Sequence, residues 1–377
     1  MYSTSWTGLR SDPHHAIIHL PSGSPMTSSI KHIVRNDRWI DPVFDLRLAQ
    51  EADFNLSIVE SHGDEAAGWA TLAGAHAYHV SAAKDELPKR LFVTDALLAR
   101  CPLLLCVSSS GAGYDTVNVA DCTKAGVLVV NQAGGNAVSV AEMALGLLLD
   151  VSRRISECNA LLHTKTGFSR ESVMGREIHG KTIGIIGLGH TGARVAALAR
   201  AFGMQVLAFD PYLANQEIAT RGAEAVTFNR LLERSDVVSL HCPRNHDTMN
   251  LLNAAAYAQM KHGAILISTA RGGIHDEAAL ADAILSGHLG GAGLDVWHPE
   301  PPPLDHPLLK LPNVVATFHT AGVTHEARRN VAGIAAEQLT GVLRGGRPPR
   351  LINPEVWPAY TARFDAILGR TRPESPA

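Results

Sequence analysis

Three polar residues stand at the ends of short apolar runs in the second half of the sequence. Arg271 follows Ala264-Ile-Leu-Ile-Ser-Thr-Ala, Glu300 lies downstream of Asp295 in Gly293-Leu-Asp-Val-Trp-His-Pro-Glu-Pro, and His319 follows Val314-Val-Ala-Thr-Phe. A guanidinium offers a planar fork to oxygen acceptors. An imidazole exchanges a proton near neutral pH, and a neighbouring carboxylate orients it and favours its protonated form. Taken singly, each has a plainer reading: the arginine a surface ion pair, the glutamate a loop cap before proline, the histidine a satisfied polar group. Three whose chemistry fits together mark a catalytic constellation.

A second signal is Gly187-Leu-Gly189-His-Thr-Gly192, which follows the apolar run Ile183-Gly-Ile-Ile and opens a helical pattern. Glycine-rich turns are common, but this context meets the conditions for a dinucleotide site. The first glycine permits the turn, the second lets a pyrophosphate approach the backbone, and the third lets helix and strand pack closely. The helix N-terminus, with the N–H groups of His190 and Thr191, would face the phosphates. Asp210 ends the next run, where a carboxylate binds ribose hydroxyls and repels a 2′-phosphate. Pro211 and Tyr212 follow it with no nearby arginine to invert the preference, so NAD is expected over NADP.

Elements must position these groups. Six apolar runs, at 183–187, 206–210, 237–241, 264–269, 291–296 and 314–318, are rich in Val, Ile and Leu without clean alternation. Strands buried on both faces read this way. Helical spacing between them, as in 192–202 and 277–285, implies crossovers and hence a doubly wound parallel α/β sheet. All three polar residues would then lie beyond the carboxyl ends of strands, where ligands of such sheets bind. One long helix is expected over 136–163, opened by a capping box at Ser139-Val-Ala-Glu142 and long enough to serve in a dimer. Residues 30–130 read as a second α/β unit, joined to the first through the turn at 131–135 and the stretch after His319. The expected division is an arm at 1–29, disordered, then a substrate-binding domain of 30–130 plus 320–345. A cofactor domain occupies 131–319, and a Pro-rich, irregular tail 346–377.

Composition narrows the class. The chain has 377 residues, a net charge of −3, 46% hydrophobic and 18% charged residues. Nothing in that balance calls for nucleic acid or an acidic membrane surface. The stretch 125–149 is interrupted by Asn131, Gln132 and Glu142 and is no bilayer span. Cys101, Cys106, Cys122, Cys158 and Cys242 are scattered and read as free thiols of a cytoplasmic protein. The 19 histidines show no metal-ligand spacing, so no metal is expected.

The ordered set of motifs resembles the D-isomer-specific 2-hydroxyacid dehydrogenase family over residues 75–345. The set comprises Ser110-Gly-Ala-Gly-Tyr-Asp115, Asn131-Gln-Ala-Gly-Gly-Asn136, the glycine turn, His241-Cys-Pro243 with Thr248, Thr269-Ala-Arg-Gly-Gly273, Leu294-Asp-Val-Trp-His-Pro-Glu-Pro301 and His319-Thr-Ala-Gly322. The resemblance implies two Rossmann-like doubly wound lobes, the NAD-binding one inserted in a flavodoxin-like substrate lobe, with the site in the cleft and a homodimer through the long helix. It implies that Arg271 holds the substrate carboxylate and polarises the C2 carbonyl, that His319 is the acid–base, and that Glu300 orients it. Backbone N–H groups of Ser110, Gly111, Ala112 and Gly113 would receive the carboxylate. Asp295 and Thr269 would bracket the nicotinamide carboxamide, with Ala270 alongside, and Cys242, Pro243 and Thr248 would line the adenosine side. The implied reaction interconverts a small D-2-hydroxy acid and its 2-oxo acid with NAD.

Departures and alternatives remain open at this level. Glu300 argues against a formate dehydrogenase, whose reaction needs no proton acceptor. Ser109 stands where phosphoglycerate dehydrogenases carry a phosphate-gripping arginine, and no long regulatory domain follows residue 345. His76, His79, Lys84 or Arg90 could still supply charge for a phosphate from the other lobe. Ala133 replaces the usual hinge proline, Trp297 the usual phenylalanine, and the long segment 78–91 could shape the substrate mouth. A corepressor-like NAD(H) sensor, or a dehydrogenase of another small anion such as phosphite, would use the same fold.

Overall fold

The structure is a computed structural model and describes residues 30–167 and 169–369. The arm expected at 1–29 lies outside them. The first sheet contains β1 (Lys31–Asn36), β2 (Phe54–Val59), β3 (Ala77–Val80), β4 (Cys106–Ser109) and β5 (Leu128–Val130), in the order β2-β1-β3-β4-β5. Every pairing is parallel. Successive strand residues point to opposite faces, and both faces are covered. Ile33 and Leu128 join Phe44, Leu339 and Phe364 on one side. Val34 and Val129 join Leu72, Leu97 and Leu104 on the other.

The second sheet contains β6 (Thr182–Ile186), β7 (Gln205–Phe209), β8 (Glu224–Ala225), β9 (Val237–Leu240), β10 (Ile265–Ser268), β11 (Gly291–Leu294) and β12 (Val314–Ala316). Its order is β12-β11-β10-β9-β6-β7-β8, again parallel throughout. The six apolar runs are six of these strands. β8 carries no apolar run: it is an edge pair beginning with exposed Glu224. From β6 the chain builds outward to β8, then crosses to β9 on the other side of β6. That reversal opens a crevice at the strands' carboxyl ends, the usual ligand position in doubly wound sheets.

Three local expectations need correction. The long helix is two, Ala137–Arg153 and Ile155–Thr164, separated by Arg154 in the left-handed conformation (φ 56°, ψ 40°). The break is held by side chains: Asp150 accepts the Ser156 N–H at 2.7 Å, and Arg154 donates to Ser172 O at 2.9 Å and to Glu157. Ser139 does not cap. The helix starts before it, after Asn136, and Ser139 Oγ bonds Thr324 Oγ1 at 2.8 Å instead.

The segment after 345 is not an irregular tail where it is described. Asn353 Oδ1 accepts the Val129 N–H of β5 at 2.9 Å, and Trp357–Leu368 is a helix. Its Pro358 sits in the first turn, where a missing N–H breaks no helical bond. Tyr360 and Phe364, one turn apart, are fully buried in the first lobe's core, and Tyr360 Oη donates to Val342 O at 2.6 Å.

Candidate active site

The glycine turn leaves β6 through Gly187, whose φ of +88° is a left-handed value that glycine adopts without strain. A Cβ at Gly187 would lie 2.7 Å from Cys242 N, and one at Gly192 would collide with Gly187 O. Gly189 differs: a Cβ there would meet no protein atom within 4 Å. Gly189 is also the N-cap of the helix His190–Ala201, with no side chain capping it. First-turn N–H groups are therefore left for a ligand, as a pyrophosphate requires. Asp210 stands at the end of β7, where its Oδ2 accepts Leu188 N–H at 2.8 Å and its Oδ1 accepts Tyr212 N–H at 3.0 Å. An arginine does reach this turn: Arg221, distant in sequence, donates from Nη1 to Leu188 O at 2.5 Å.

Beyond this turn lies a cleft of about 570 Å³ between the lobes, lined by Gly134, His190, Thr191, Cys242, Thr269 and Arg271 among others. Pro243 and Ala270 line it too. Thr248 does not: its hydroxyl donates to Pro243 O at 2.7 Å and accepts Asn245 N–H at 2.8 Å, closing the adjoining turn. Two buried polar atoms on this wall, Thr269 Oγ1 and His241 Nδ1, have no hydrogen-bond partner among the described residues. Burial pushes the His241 imidazole down to about 4, so it is neutral. Open space over Gly189, uncapped N–H groups, a carboxylate at the strand end and orphaned polar atoms in the cleft together fit a dinucleotide.

A smaller cavity of about 190 Å³ adjoins the cleft, and there Arg271, Glu300 and His319 converge with the Ser110–Gly113 loop. His319 Nδ1 lies 3.1 Å from both Glu300 oxygens. Its φ of +46° is unusual for a residue with a Cβ. Asp295 sustains that conformation. The His319 N–H donates to Asp295 O at 2.8 Å, and the fully buried Asp295 carboxylate accepts Thr317 Oγ1 (2.6 Å), Thr320 N (2.8 Å) and Ala321 N (2.9 Å). Asp295, expected beside the carboxamide, thus holds the turn that carries His319. Glu277 does the same for the loop that bears Glu300, accepting His298 N–H at 2.7 Å and contacting His306 Nε2 at 3.1 Å. Burial pushes its carboxyl up to about 7 and the His306 imidazole below its ordinary value.

The carboxylate loop is narrower than expected. Ser110 N–H donates to Val80 O at 2.8 Å, and Gly111 N–H donates to Gln132 Oε1 at 2.8 Å. Only the Ala112 and Gly113 N–H groups stay without a partner among the described residues. Arg271 lies against them; a Cβ on Gly113 would collide with its Nη2. Asn136, Gln132, Asp115 and Arg244 were not singled out in the sequence, although the first three sit inside quoted motifs. Asp115 accepts from Arg271 Nε at 3.1 Å and from Arg244 Nη2 at 2.6 Å. Burial alone would raise its carboxyl; Arg271 and Arg244 overcome that and hold it below the ordinary value. Of the basic residues considered for a phosphate, His79 is buried under Phe44, Arg90 donates to Ser61 O, and His76 accepts the His32 N–H. Lys84 alone of the four lines a pocket here, one of about 430 Å³ that it shares with Arg244, Arg271, Glu300 and His319.

Residues 145–321 match the model of the D-isomer specific 2-hydroxyacid dehydrogenase, NAD binding domain. The chain is 42% identical over 240 residues to the D-3-phosphoglycerate dehydrogenase of Archaeoglobus fulgidus, covering 63% of this chain and 45% of that protein. It is 39% identical over 258 residues to the glyoxylate reductase of Korarchaeum cryptofilum, covering 68% of this chain and 78% of that protein. The chain spans about half the length of the phosphoglycerate dehydrogenases it matches. Among solved structures, it superimposes on the D-lactate dehydrogenase of Aquifex aeolicus complexed with NAD and lactic acid with a TM-score of 0.72 and 25% identity. That match covers 85% of this chain and 98% of the other.

Proposed function

The chain belongs to the D-isomer-specific 2-hydroxyacid dehydrogenase family, and on that premise we propose that it interconverts a small D-2-hydroxy acid and its 2-oxo acid, using NAD. The observation that carries this reading is one cavity in which a histidine–carboxylate pair, His319 and Glu300, faces an arginine fork and two free backbone N–H groups. Arg271 Nη2 and the N–H groups of Ala112 and Gly113 would grip the substrate carboxylate. That grip fixes C2 and turns its carbonyl oxygen towards His319. Bound NADH would supply the hydride to C2. His319 would hold its proton at Nε2 and release it to the carbonyl oxygen, while Glu300 accepts the Nδ1–H and stabilises the charged ring. In the oxidative direction, His319 takes the hydroxyl proton at the same atom.

His190, Thr191 and the turn Gly187–Gly192 would hold the pyrophosphate, Asp210 the ribose, Cys242 and Pro243 the adenosine side, and Thr269 with Ala270 the nicotinamide end. Asp210 supports NAD over NADP through its charge at the ribose hydroxyls. A homodimer is part of the same reading. The helix Ile155–Thr164 buries none of its residues in the single chain, and Leu162 and Met174 are 73% and 70% exposed. The five free cysteines suit the cytoplasm, and no helix among the described residues is long and apolar enough to cross a membrane. The test is NADH oxidation with a panel of 2-oxo acids: glyoxylate, pyruvate, hydroxypyruvate, 2-oxobutyrate and bulky analogues. Turnover of at least one, yielding the D-hydroxy acid, supports the reading; tight NADH binding with no turnover of any would sink it.

A further inference from the structure

The ribose end of the cofactor cleft carries a cation as well as a carboxylate. Leu188, inside the glycine turn, is held at both ends of its backbone: its N–H donates to Asp210 Oδ2 at 2.8 Å, and its carbonyl accepts from Arg221 Nη1 at 2.5 Å. Carboxylate and guanidinium thus flank a single residue. Burial pushes the Cys242 thiol up to about 11 and the charge of Asp210 adds to that rise, so Asp210 stands close to the wall read as the adenosine side. Arg221 comes from outside the motif. It follows the helix Asn215–Thr220, where its N–H donates to Glu217 O and Ile218 O at 3.1 Å, and its side chain reaches back to the turn. The guanidinium is half-buried, and among the described residues it forms no ion pair, and its Nε and Nη2 have no partner. The charged groups around it do not pair with it: Glu217 accepts the Ala214 N–H at 3.0 Å, and Arg200 lies against Gly222.

We propose that Arg221 is a second cofactor-specificity residue, which receives the 2′-phosphate of NADP and lets the site accept both coenzymes. The inference rests on the reading of the cleft as a dinucleotide site and extends it. A ribose hydroxyl needs only the acceptor that Asp210 supplies. A guanidinium with free N–H donors beside that acceptor matches the oxygens of a phosphate instead. A lone carboxylate about 4 Å from a phosphate charge would weaken NADP binding by roughly a thousandfold at the effective dielectric of a protein surface. Arg221 offsets most of that repulsion, because its attraction for the phosphate acts at the same short range. Asp210 still favours NAD, and the preference becomes shallow rather than absolute.

The charge of Arg221 can be removed without removing its tie to the turn. Arg221→Gln keeps a neutral donor for Leu188 O, and Arg221→Lys keeps the charge. The experiment measures Kd for NADH and NADPH by nicotinamide fluorescence in the wild type, both Arg221 variants and Asp210→Asn, with Tm as a control. Displacement by 5′-AMP and by adenosine 2′,5′-bisphosphate isolates the 2′-phosphate from the rest of the coenzyme. The wild type is expected to bind NADPH within about a hundredfold of NADH. Arg221→Gln should weaken NADPH and the bisphosphate about tenfold or more while NADH and 5′-AMP stay within about twofold, and Arg221→Lys should recover most of the loss. Asp210→Asn should move the preference towards NADPH. An arginine that only holds the turn would weaken both coenzymes alike in Arg221→Gln. That result, an unmoved NADPH-to-NADH ratio, or a wild-type preference for NADH above about a hundredfold would overturn the role of Arg221 while leaving the NAD enzyme reading intact. Failure of the wild type to bind either coenzyme overturns both.

Discussion

Asp295 gives the sharpest separation between holding the cofactor and holding the catalytic turn. Its carboxylate is fully buried and accepts the Thr317 hydroxyl, the Thr320 N–H and the Ala321 N–H. Asp295→Ala leaves the Thr320 and Ala321 N–H groups without an acceptor and the Thr317 hydroxyl with only Leu294 O, at 3.5 Å. A buried orphaned donor costs about 1–3 kcal/mol, and partial entry of water reduces the sum to about 3–5 kcal/mol. For a protein of this size that corresponds to a fall in Tm of roughly 4–6 °C. Asp295→Asn, with its oxygen at the Oδ1 position, keeps Thr317 and Thr320 and loses only Ala321, so its loss should be about 1–2 kcal/mol. The turn released in the alanine variant carries His319 at a strained φ of 46°. If His319 is the acid–base proposed above, a shift of about 1 Å there would lower kcat about 10²-fold. Thermal unfolding of both variants, beside steady-state rates at saturating NADH, measures the two effects together. A group acting only on the carboxamide would weaken NADH binding and leave Tm alone. Asp295→Ala with an unchanged Tm and a kcat within twofold of wild type would refute the reasoning.

Other outcomes follow from the same geometry. Gly113→Ala should keep the Tm within about 2 °C yet lower kcat/KM for the 2-oxo acid about 10²-fold, because its Cβ displaces Arg271 Nη2; steady-state kinetics with a melting control checks this. Glu277 ionises near 7 in the folded protein because it is buried, above its ordinary 4.5. The raised value contributes stability that is full below about 4.5 and is lost as pH rises through about 7. Relative to Glu277→Gln, the wild type should therefore lose about 2–3 kcal/mol between pH 5 and 8, read from urea unfolding across that range; parallel pH profiles for the two proteins would contradict it. Phe364→Ala should cost about 3–5 kcal/mol, since the side chain is fully buried in the first lobe's core; a urea midpoint like that of wild type would show that the C-terminal helix does not belong to that core.

The second lobe was readable because its central strands β6, β9 and β10 are buried on both faces and so appear as short runs rich in Val, Ile and Leu. In the first lobe the apolar runs 103–107 and 127–130 announce β4 and β5, but β1 and β2 conceal themselves. β1 carries His32 and Arg35, and β2 carries Ser57, polar groups satisfied only by the fold: His32 Nε2 lies 2.9 Å from Ser57 Oγ, and Arg35 pairs with Asp45. The helix Trp357–Leu368 was hidden by Pro358, a residue that breaks a helix interior but is tolerated in a first turn. Arg271, Glu300 and His319 were legible because each follows its own strand closely. The Asp115–Arg244 bond joins residues 129 positions apart across two lobes, and no local pattern announces such a contact. Likewise, the exclusion of Ser110 and Gly111 from the set of free N–H donors depends on Val80 and Gln132, which only the folded chain brings to them.

The central claim is that Arg271 and His319 act on a 2-oxo acid beside bound NADH. Its most direct test reduces the preferred 2-oxo acid with NADH in wild type, Arg271→Ala, Glu300→Gln and His319→Ala, with NADH affinity and product chirality measured on the same samples. The expected result is a D-hydroxy acid from the wild type, near-normal NADH affinity throughout, and turnover reduced about 10²–10⁴-fold in the His319 variant, with a large rise in KM for Arg271→Ala. Wild-type turnover in His319→Ala, or an L-hydroxy acid product, would contradict the account.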